Sequence, residues 1–294
     1  MNLRKRVLEQ GMRVLIFGNG YLGNKFQQYF KNSVISSADI CDPAAIRTAL
    51  LDHAPDAVMN CAGKTGRPNI DWCEDHKLET MRSNVAGPLQ LATMCLENNL
   101  HLTHIGSGCV YQGDNAGKGY SEEDPPNFFD SFYSRTKIWS EQVLREFPVL
   151  QVRLRMPLDS YPNPRNLITK LTSYPRVISV PNSISILDDF IPAAAELMNR
   201  RRTGIYNVTN PGAIAHKQIL DLYTQMVNPA YQYHLMSVDE LHHITKAKRS
   251  NCVLNTDKLA SEGIRLRPVE QAVQNCLRQY RQTLEQTASI PQGG

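Results

Sequence analysis

The stretch MRVLIFGNGYLGNKFQQYF (residues 12–30) joins an apolar run, three glycines and a helical pattern. The run Val14–Phe17 leads directly into Gly18, Gly20 and Gly23, and apolar residues then recur at every fourth position. Glycines between a strand and a helix permit a tight turn, let backbone approach a pyrophosphate and let the helix pack closely on the sheet. The stretch therefore predicts a dinucleotide-binding loop at the start of a Rossmann-type fold.

Strand and helix patterns alternate along the chain after this loop. Short apolar strands are expected at 33–36, 56–63, 100–107 and 149–156, and a long helical pattern covers 79–98. Such repetition favours a doubly wound parallel sheet with its ligand at the carboxyl ends of the strands. The predicted fold class is α/β, a Rossmann-type sheet with a smaller mixed α/β substrate domain.

The charge and hydropathy of the chain limit the kinds of molecule that it is expected to bind. The 294 residues include 32 Lys and Arg against 28 Asp and Glu, a net charge of +4. The basic residues form short clusters at 4–6, 200–202 and 246–249 without interleaved aromatics, so we expect no nucleic-acid partner. No apolar segment is long enough to span a bilayer, so no membrane partner is expected either. The mild positive charge is compatible with a phosphorylated small molecule.

Cysteine and histidine usage predicts a reduced, metal-free protein. The seven cysteines show no paired spacing, and the eight histidines show no spacing typical of metal ligands. We therefore expect free thiols in a cytoplasmic protein.

Tyr133 and Lys137 are four residues apart and so lie on one face of a predicted helix. The Lys137 ammonium is expected to lower the pKa of the Tyr133 phenol from about 10, so that it exchanges a proton with a carbonyl oxygen near neutrality. The same spacing occurs at Tyr21 and Lys25 in the glycine loop, where no chemistry is expected. What distinguishes Tyr133 is Ser107, which lies upstream at the end of a predicted strand.

The second predicted strand bears on the choice of cofactor. It ends at Ser36 and Ser37 rather than at the acidic residue that would bind a ribose 2′-hydroxyl and favour NAD, although Asp39 follows shortly after. NADPH is therefore the expected cofactor, with NADH left open.

Gly18–Gly23, Ser107, Tyr133 and Lys137, in this order, resemble the extended short-chain dehydrogenase/reductase family. More closely, long segments resemble the 3,5-epimerase/4-reductases that make UDP-L-rhamnose, which are relatives of dTDP-4-dehydrorhamnose reductase. These segments are NCAGKTGRPNIDWCEDHK (60–77), PNFFDSFYSRTK (126–137), NPRNLITKLTSYP (163–175) and RSNCVLNTDKL (249–259). The glycine spacing departs from the family pattern G-x-x-G-x-x-G by one residue.

The resemblance implies a role for each site residue. Ser107 would bond the 4-keto oxygen, Tyr133 would protonate it, and Lys137 would hold the nicotinamide ribose, with Asn84 supporting the relay. The implied cofactor-binding residues are Gly18, Asn19, Gly20, Tyr21, Leu22, Gly23, Asp39, Ile40, Cys61, Ala62, Gly63, Asn84, Tyr133, Lys137 and Met156. The implied substrate-binding residues are Thr65, Arg67, Ser107, Asn163, Arg165, Asn166 and Arg249.

Cys109 has no role in a simple reduction. A 4-ketone acidifies the protons at C3 and C5, and inversion there needs a base on one face and an acid on the other. Cys109 follows Ser107 by two residues, and the resemblance offers Lys170 as its partner. We expect these two to be the acid/base pair; a packing role for Cys109 and a solvated or phosphate-binding Lys170 remain the alternative.

Two other functions stay open. A dTDP-4-dehydrorhamnose reductase without epimerase activity would share every feature except the need for Cys109 and Lys170. A non-catalytic, NADP-binding regulatory subunit would be expected to lack the catalytic residues that this chain retains. A dehydratase is excluded, because its acidic residues would stand where the sequence has Gly108 and Cys109.

The resemblance also implies partners and a domain division. The implied substrate is a UDP- or dTDP-linked sugar. The chain has no room for a fused 4,6-dehydratase, so a separate dehydratase would be expected to supply this sugar. A homodimer is also expected. We expect an NADP-binding domain at 1–161 and a substrate domain at 162–294, with a strand near 204–210 returning to the first sheet. Residues 1–11 would precede the first strand as a leader.

Overall fold

The computed structural model describes residues 11–288 of the chain. The basic cluster at 4–6 and almost all of the expected leader lie outside the described residues.

A six-stranded parallel sheet forms the centre of the molecule. With strands numbered in chain order, its members are β1 (Val14–Phe17), β2 (Ser33–Ser36), β3 (Ala57–Asn60), β4 (His101–Ser107), β5 (Val149–Leu154) and β9 (Gly204–Asn207). Their order across the sheet is β2-β1-β3-β4-β5-β9, and every neighbouring pair is parallel. The Rossmann-type prediction is confirmed, and so is the return of the late strand.

The central strands are apolar throughout because helices cover both faces of the sheet. In β1, Val14 and Ile16 pack into one apolar cluster while Leu15 and Phe17 pack into another. Side chains of a strand alternate between its faces, so a strand that is covered on both sides needs apolar residues at every position.

Helices of the first half connect these strands. They are α1 (Tyr21–Tyr29), α2 (Pro43–His53), α3 (Trp72–Asp75), α4 (Lys77–Met81), α5 (Gly87–Glu97) and α6 (Phe132–Leu144), with α8 (Leu187–Asn199) packed against β5. Asp42 caps α2 by accepting from the amides of Ala44 and Ala45. The long helix expected at 79–98 is interrupted by one π-helical turn, Arg82–Ala86, between α4 and α5.

A second apolar core lies in the later half of the chain. It includes a three-stranded sheet in the order β10-β8-β6, built from β6 (Pro157–Leu158), β8 (Asn182–Ile186) and β10 (Asn210–Ile214). A two-stranded sheet pairs β7 (Arg176–Val177) with β11 (His234–Leu235). The remaining helices are α7 (Leu167–Leu171), α9 (His216–Met226), α10 (Val238–Ile244), α11 (Asp257–Ser261) and α12 (Val269–Ala288).

Within residues 11–288, none of the helices has the length and apolar character needed to cross a bilayer.

Candidate active site

A cavity of about 770 Å³ lies at the carboxyl ends of the central strands, between the parallel sheet and the second core. This is where the doubly wound fold was expected to place its ligand. Many of the predicted site residues line it: Gly20, Tyr21, Leu22, Cys61, Gly63, Thr65, Ser107, Cys109, Tyr133, Met156, Arg165, Lys170 and Arg249.

The three glycines of the first loop have different surroundings. A Cβ at Gly18 would lie 2.5 Å from the Ala62 nitrogen, and one at Gly23 would lie 2.0 Å from the Gly18 oxygen. A Cβ at Gly20 would meet nothing within 4 Å, and Gly20 lines the cavity beside the N-terminus of α1. The loop therefore packs tightly where it meets the sheet and leaves open space where a pyrophosphate would approach the helix amides.

Tyr21 and Lys25 have a structural use. The Tyr21 hydroxyl donates to Asp159 Oδ2 at 2.7 Å, and Lys25 Nζ lies 2.7 Å from the same oxygen. Through these two contacts, Tyr21 and Lys25 connect α1 to the segment just after β6.

Ser107, Tyr133 and Lys137 are buried together where β4 meets α6. The Ser107 hydroxyl accepts from the Cys109 amide at 3.1 Å, and Ser107 and Tyr133 both line the cavity. Burial lowers the pKa of Lys137 to about 8. Burial, and then the Cys109 side chain, raise the pKa of Tyr133, which is opposite to the direction expected from the sequence. Tyr133 therefore keeps its proton in the free protein.

Asn84 joins the loop after β3 to α6. It is fully buried in the π-helical turn, accepts from the Lys64 amide at 2.7 Å, and donates to the Lys64 carbonyl at 3.0 Å and to Thr136 Oγ1 at 3.1 Å. A π-helical turn inside an α-helix is frequently associated with a functional site.

Cys109 is in contact with a residue that the sequence reasoning missed. Arg155 follows β5, is almost fully buried, and places Nη1 2.7 Å from Cys109 Sγ. Its Nη2 donates to Asn182 Oδ1 and to the Ser250 carbonyl. The next residue, Met156, lines the cavity with a left-handed φ of 42°, a conformation that costs free energy and clusters at functional sites.

Lys170 lies in α7 on the same cavity. Asn166 caps this helix by accepting from the Ile168 amide at 3.2 Å. Lys170 is partly buried, and burial followed by the neighbouring Arg165 lowers its pKa. An amine in this environment exchanges its proton more readily near neutrality than a solvated lysine does.

Four predicted substrate residues line the cavity: Ser107, described above, and Thr65, Arg165 and Arg249. Arg165 Nη1 donates to Thr65 Oγ1 and to the Gly66 carbonyl, both at 3.0 Å. Arg249 Nη1 donates to Asp71 Oδ1 at 2.8 Å. Guanidinium groups held in this way present further donors that suit a pyrophosphate.

Other predicted residues do not line the cavity: Gly18, Asn19, Gly23, Asp39, Ile40, Ala62, Arg67, Asn84, Lys137, Asn163 and Asn166. The Asn166 amide donates to the carbonyls of Asp159 and Tyr161, and Asn163 Oδ1 accepts from the Arg165 amide. Asp39 Oδ1 accepts from the Cys41 amide. Arg67 is exposed.

His216, at the start of α9, also lines the cavity and was missed. It is buried, and its Nε2 has no hydrogen-bond partner among the residues that the structure describes. Burial followed by Arg155 lowers its pKa to about 4. Among residues 11–288, no cluster of three or more His, Cys, Asp or Glu side chains is arranged to hold a metal ion.

Residues 12–171 match the RmlD substrate binding domain family. The chain is also 39% identical over 271 residues to a bifunctional dTDP-4-dehydrorhamnose 3,5-epimerase/dTDP-4-dehydrorhamnose reductase of Arabidopsis thaliana, covering 88% of this chain and 90% of that protein. This chain belongs to the RmlD family.

Three further proteins resemble this RmlD family member in sequence or structure. It is 40% identical over 263 residues to a trifunctional UDP-glucose 4,6-dehydratase/UDP-4-keto-6-deoxy-D-glucose 3,5-epimerase/UDP-4-keto-L-rhamnose-reductase of A. thaliana, and that match covers 85% of this chain but only 39% of that protein. The crystal structure of the L780 UDP-rhamnose synthase from Acanthamoeba polyphaga mimivirus superimposes with a TM-score of 0.88 at 36% identity, covering 91% of this chain and 99% of that one. A Bacillus anthracis dTDP-4-dehydrorhamnose reductase, at 19% identity and a TM-score of 0.78, shares the fold.

Proposed function

We propose that this RmlD family member is a bifunctional 3,5-epimerase/4-reductase that converts a nucleotide-linked 4-keto-6-deoxyglucose, with UDP as the favoured nucleotide, to the nucleotide-linked L-rhamnose. One observation carries the proposal: Ser107 and Tyr133 line the same cavity as Cys109 and Lys170. Reduction needs only the first pair, whereas epimerisation gives the second pair a role. The full-length match to a bifunctional epimerase/reductase supports this assignment.

The loop residues fit NADPH. The open space at Gly20 beside α1 accommodates a pyrophosphate, and Lys137 Nζ comes within 3.9 Å of where a Cβ of Gly63 would stand, at the end of β3 where a nicotinamide ribose would lie. When bound, NADPH supplies the hydride for C4. NADH stays an alternative, because Asp39 lies close to the end of β2.

In the reduction, Ser107 holds the 4-keto oxygen by a hydrogen bond and Tyr133 gives that oxygen its proton. The raised pKa of Tyr133 suits this role, because the phenol arrives protonated and gives up its proton only when negative charge develops on the substrate oxygen. The Lys137 ammonium then stabilises the phenolate and helps to restore its proton.

In the epimerisation, Cys109 Sγ removes the proton from C3 or C5. The C–H bond breaks, an S–H bond forms, and the electron pair moves to the ketone oxygen, where Ser107 stabilises the enolate. The Lys170 ammonium returns a proton to the opposite face of the carbon, which leaves the centre inverted. Both side chains then exchange protons with water.

We assign binding of the nucleotide diphosphate to Arg165, Thr65 and Arg249. We assign Asn163 and Asn166 to positioning the Arg165 segment, and Arg67 to the rim of the same site. We further propose an NADP-binding domain at 1–161 and an interleaved substrate domain at 162–294, some of whose later segments return to the first domain. The proposal also includes a homodimer, a cytoplasmic location and a separate 4,6-dehydratase that supplies the substrate.

The test uses purified protein, UDP-4-keto-6-deoxyglucose and NADPH, with NADPH oxidation followed by absorbance and the product identified by NMR. The expected product is the L-rhamno sugar. NADPH oxidation with another sugar as product would support the plain reductase, and NADPH binding without oxidation would support the regulatory subunit.

A further inference from the structure

Two buried arginines at the end of β5 differ in their counter-ions. Arg153 is paired with the Glu141 carboxylate through Nε and Nη2, both at 2.7 Å. Arg155, two residues further and just as buried, has no carboxylate among its partners within residues 11–288. Within the described part of the chain, its Nε also lacks a hydrogen-bond partner.

A guanidinium stays protonated in proteins, and an unpaired charge is costly to bury. Of the three groups that the Arg155 guanidinium contacts, the Asn182 amide and the Ser250 carbonyl are neutral. The third is Cys109 Sγ, which can carry a negative charge.

The other ionisable groups around this pair are Tyr133 and Lys137 from α6, His216 from α9, and Cys252. Burial raises the pKa of Tyr133 and of Cys252, and the Cys252 thiol donates to the Gly108 carbonyl at 3.2 Å, so both keep their protons. Burial and Arg155 keep His216 neutral by lowering its pKa to about 4. Lys137 is a second cation. Of these groups, Cys109 is the one that contacts Arg155 directly and could carry a negative charge.

We infer that Arg155 is a positioning residue that holds Cys109 as a thiolate in the free enzyme. The use of this thiolate as the base for C3 and C5 rests on the proposed function, but its charge does not. Because Nη2 is fixed by Asn182 and Ser250, Arg155 also fixes where the sulfur points. The base is thus ready before substrate arrives.

The experiment measures alkylation of Cys109 by iodoacetamide against pH, without nucleotide sugar, with Cys109 resolved from the other cysteines by peptide mass spectrometry. In the parent protein, the rate should stay nearly flat between pH 6 and pH 8. In Arg155→Gln it should rise steeply with pH and be at least about tenfold slower at pH 7, because an ordinary thiol is only a few per cent thiolate there. Arg155→Lys, which keeps the charge, should recover part of the plateau.

A second measurement needs no change at Arg155. The ultraviolet absorbance of thiolate, taken as parent minus Cys109→Ser, should already be present at pH 6.5. A signal that develops only above pH 8, or an Arg155→Gln alkylation profile that matches the parent, would overturn the inference. Neither measurement involves turnover. A negative result would therefore overturn the inference about Arg155 without bearing on the epimerase/reductase assignment, which has its own test.

Discussion

Arg165 and Thr65 both line the cavity, and Arg165 Nη1 donates to Thr65 Oγ1 at 3.0 Å. Arg165 precedes α7 in the second core, whereas Thr65 belongs to the loop after β3 of the parallel sheet. This contact, with the parallel one to the Gly66 carbonyl, joins the two halves of the site. A nucleotide diphosphate bound here would meet a guanidinium that is already oriented.

Replacing Arg165 should weaken substrate binding rather than the chemical step. Arg165→Gln is expected to raise KM for the nucleotide sugar about 10- to 100-fold with little change in kcat, because charge-assisted contacts to phosphate are lost. Thr65→Val is the matched control: it removes only the neutral hydroxyl acceptor and should change KM by about fivefold or less. Equal effects of the two changes would show that the guanidinium does not contact the diphosphate.

Two glycines of the first loop should respond differently to alanine. In Gly23→Ala the new Cβ would overlap the Gly18 carbonyl, so we expect a loss of about 2 to 3 kcal/mol in the free energy of unfolding. In Gly20→Ala the Cβ enters open space, so stability should change little while NADPH affinity falls about tenfold or more. Urea unfolding and a fluorescence titration with NADPH measure the two effects; unchanged NADPH binding in Gly20→Ala would place the pyrophosphate elsewhere.

Tyr133→Phe should separate the two activities. The variant loses the proton for O4, so the rate of NADPH oxidation is expected to fall about 10²- to 10⁴-fold. Exchange of the C3 and C5 protons with solvent should persist, because Ser107 still holds the enolate oxygen. Loss of both activities together would mean that Tyr133 also serves the epimerisation.

Buried histidines should make the protein sensitive to acid. Burial lowers the pKa of His101 and His216 to about 4, with Arg201 and Arg155 as the second causes. The unfolded chain takes up these protons first, near pH 6.5, so the stabilisation is complete above that pH and is lost as the pH falls from 6.5 towards 4. At pH 5 each histidine should cost up to about 2 kcal/mol relative to pH 7.5.

Urea unfolding of the parent and of His101→Gln at these two pH values checks this expectation. The carboxylates are the same in both proteins, so the difference between their pH slopes isolates His101. Identical slopes would contradict the expectation.

The parallel sheet, the glycine loop and the return of β9 to the sheet edge could all be predicted from the sequence. Each depends on a local pattern of apolar residues and turns. Ser107 and Cys109 could be placed at the site because the ligand of such a sheet lies where its parallel strands end. Tyr133, on a helix, was assigned to the same site by its spacing from Lys137 and by the family resemblance. Arg155 and His216 could not be found in this way. Arg155 stands in the run VLQVRLRM, where it looks like a half-exposed strand residue, and its contact with Cys109 joins positions 46 residues apart. The direction of the Tyr133 pKa also escaped prediction, because burial depends on packing that spacing does not encode.

The central claim is that one site both epimerises and reduces, and solvent exchange tests it most directly. The protein is incubated with UDP-4-keto-6-deoxyglucose in D2O without NADPH, and the ring protons are followed by NMR. We predict deuterium at C3 and C5, with the exchange rate reduced at least about 100-fold in Cys109→Ser and in Lys170→Ala. If the parent oxidises NADPH with this sugar yet incorporates no deuterium, the enzyme is a reductase alone and Cys109 is a packing residue.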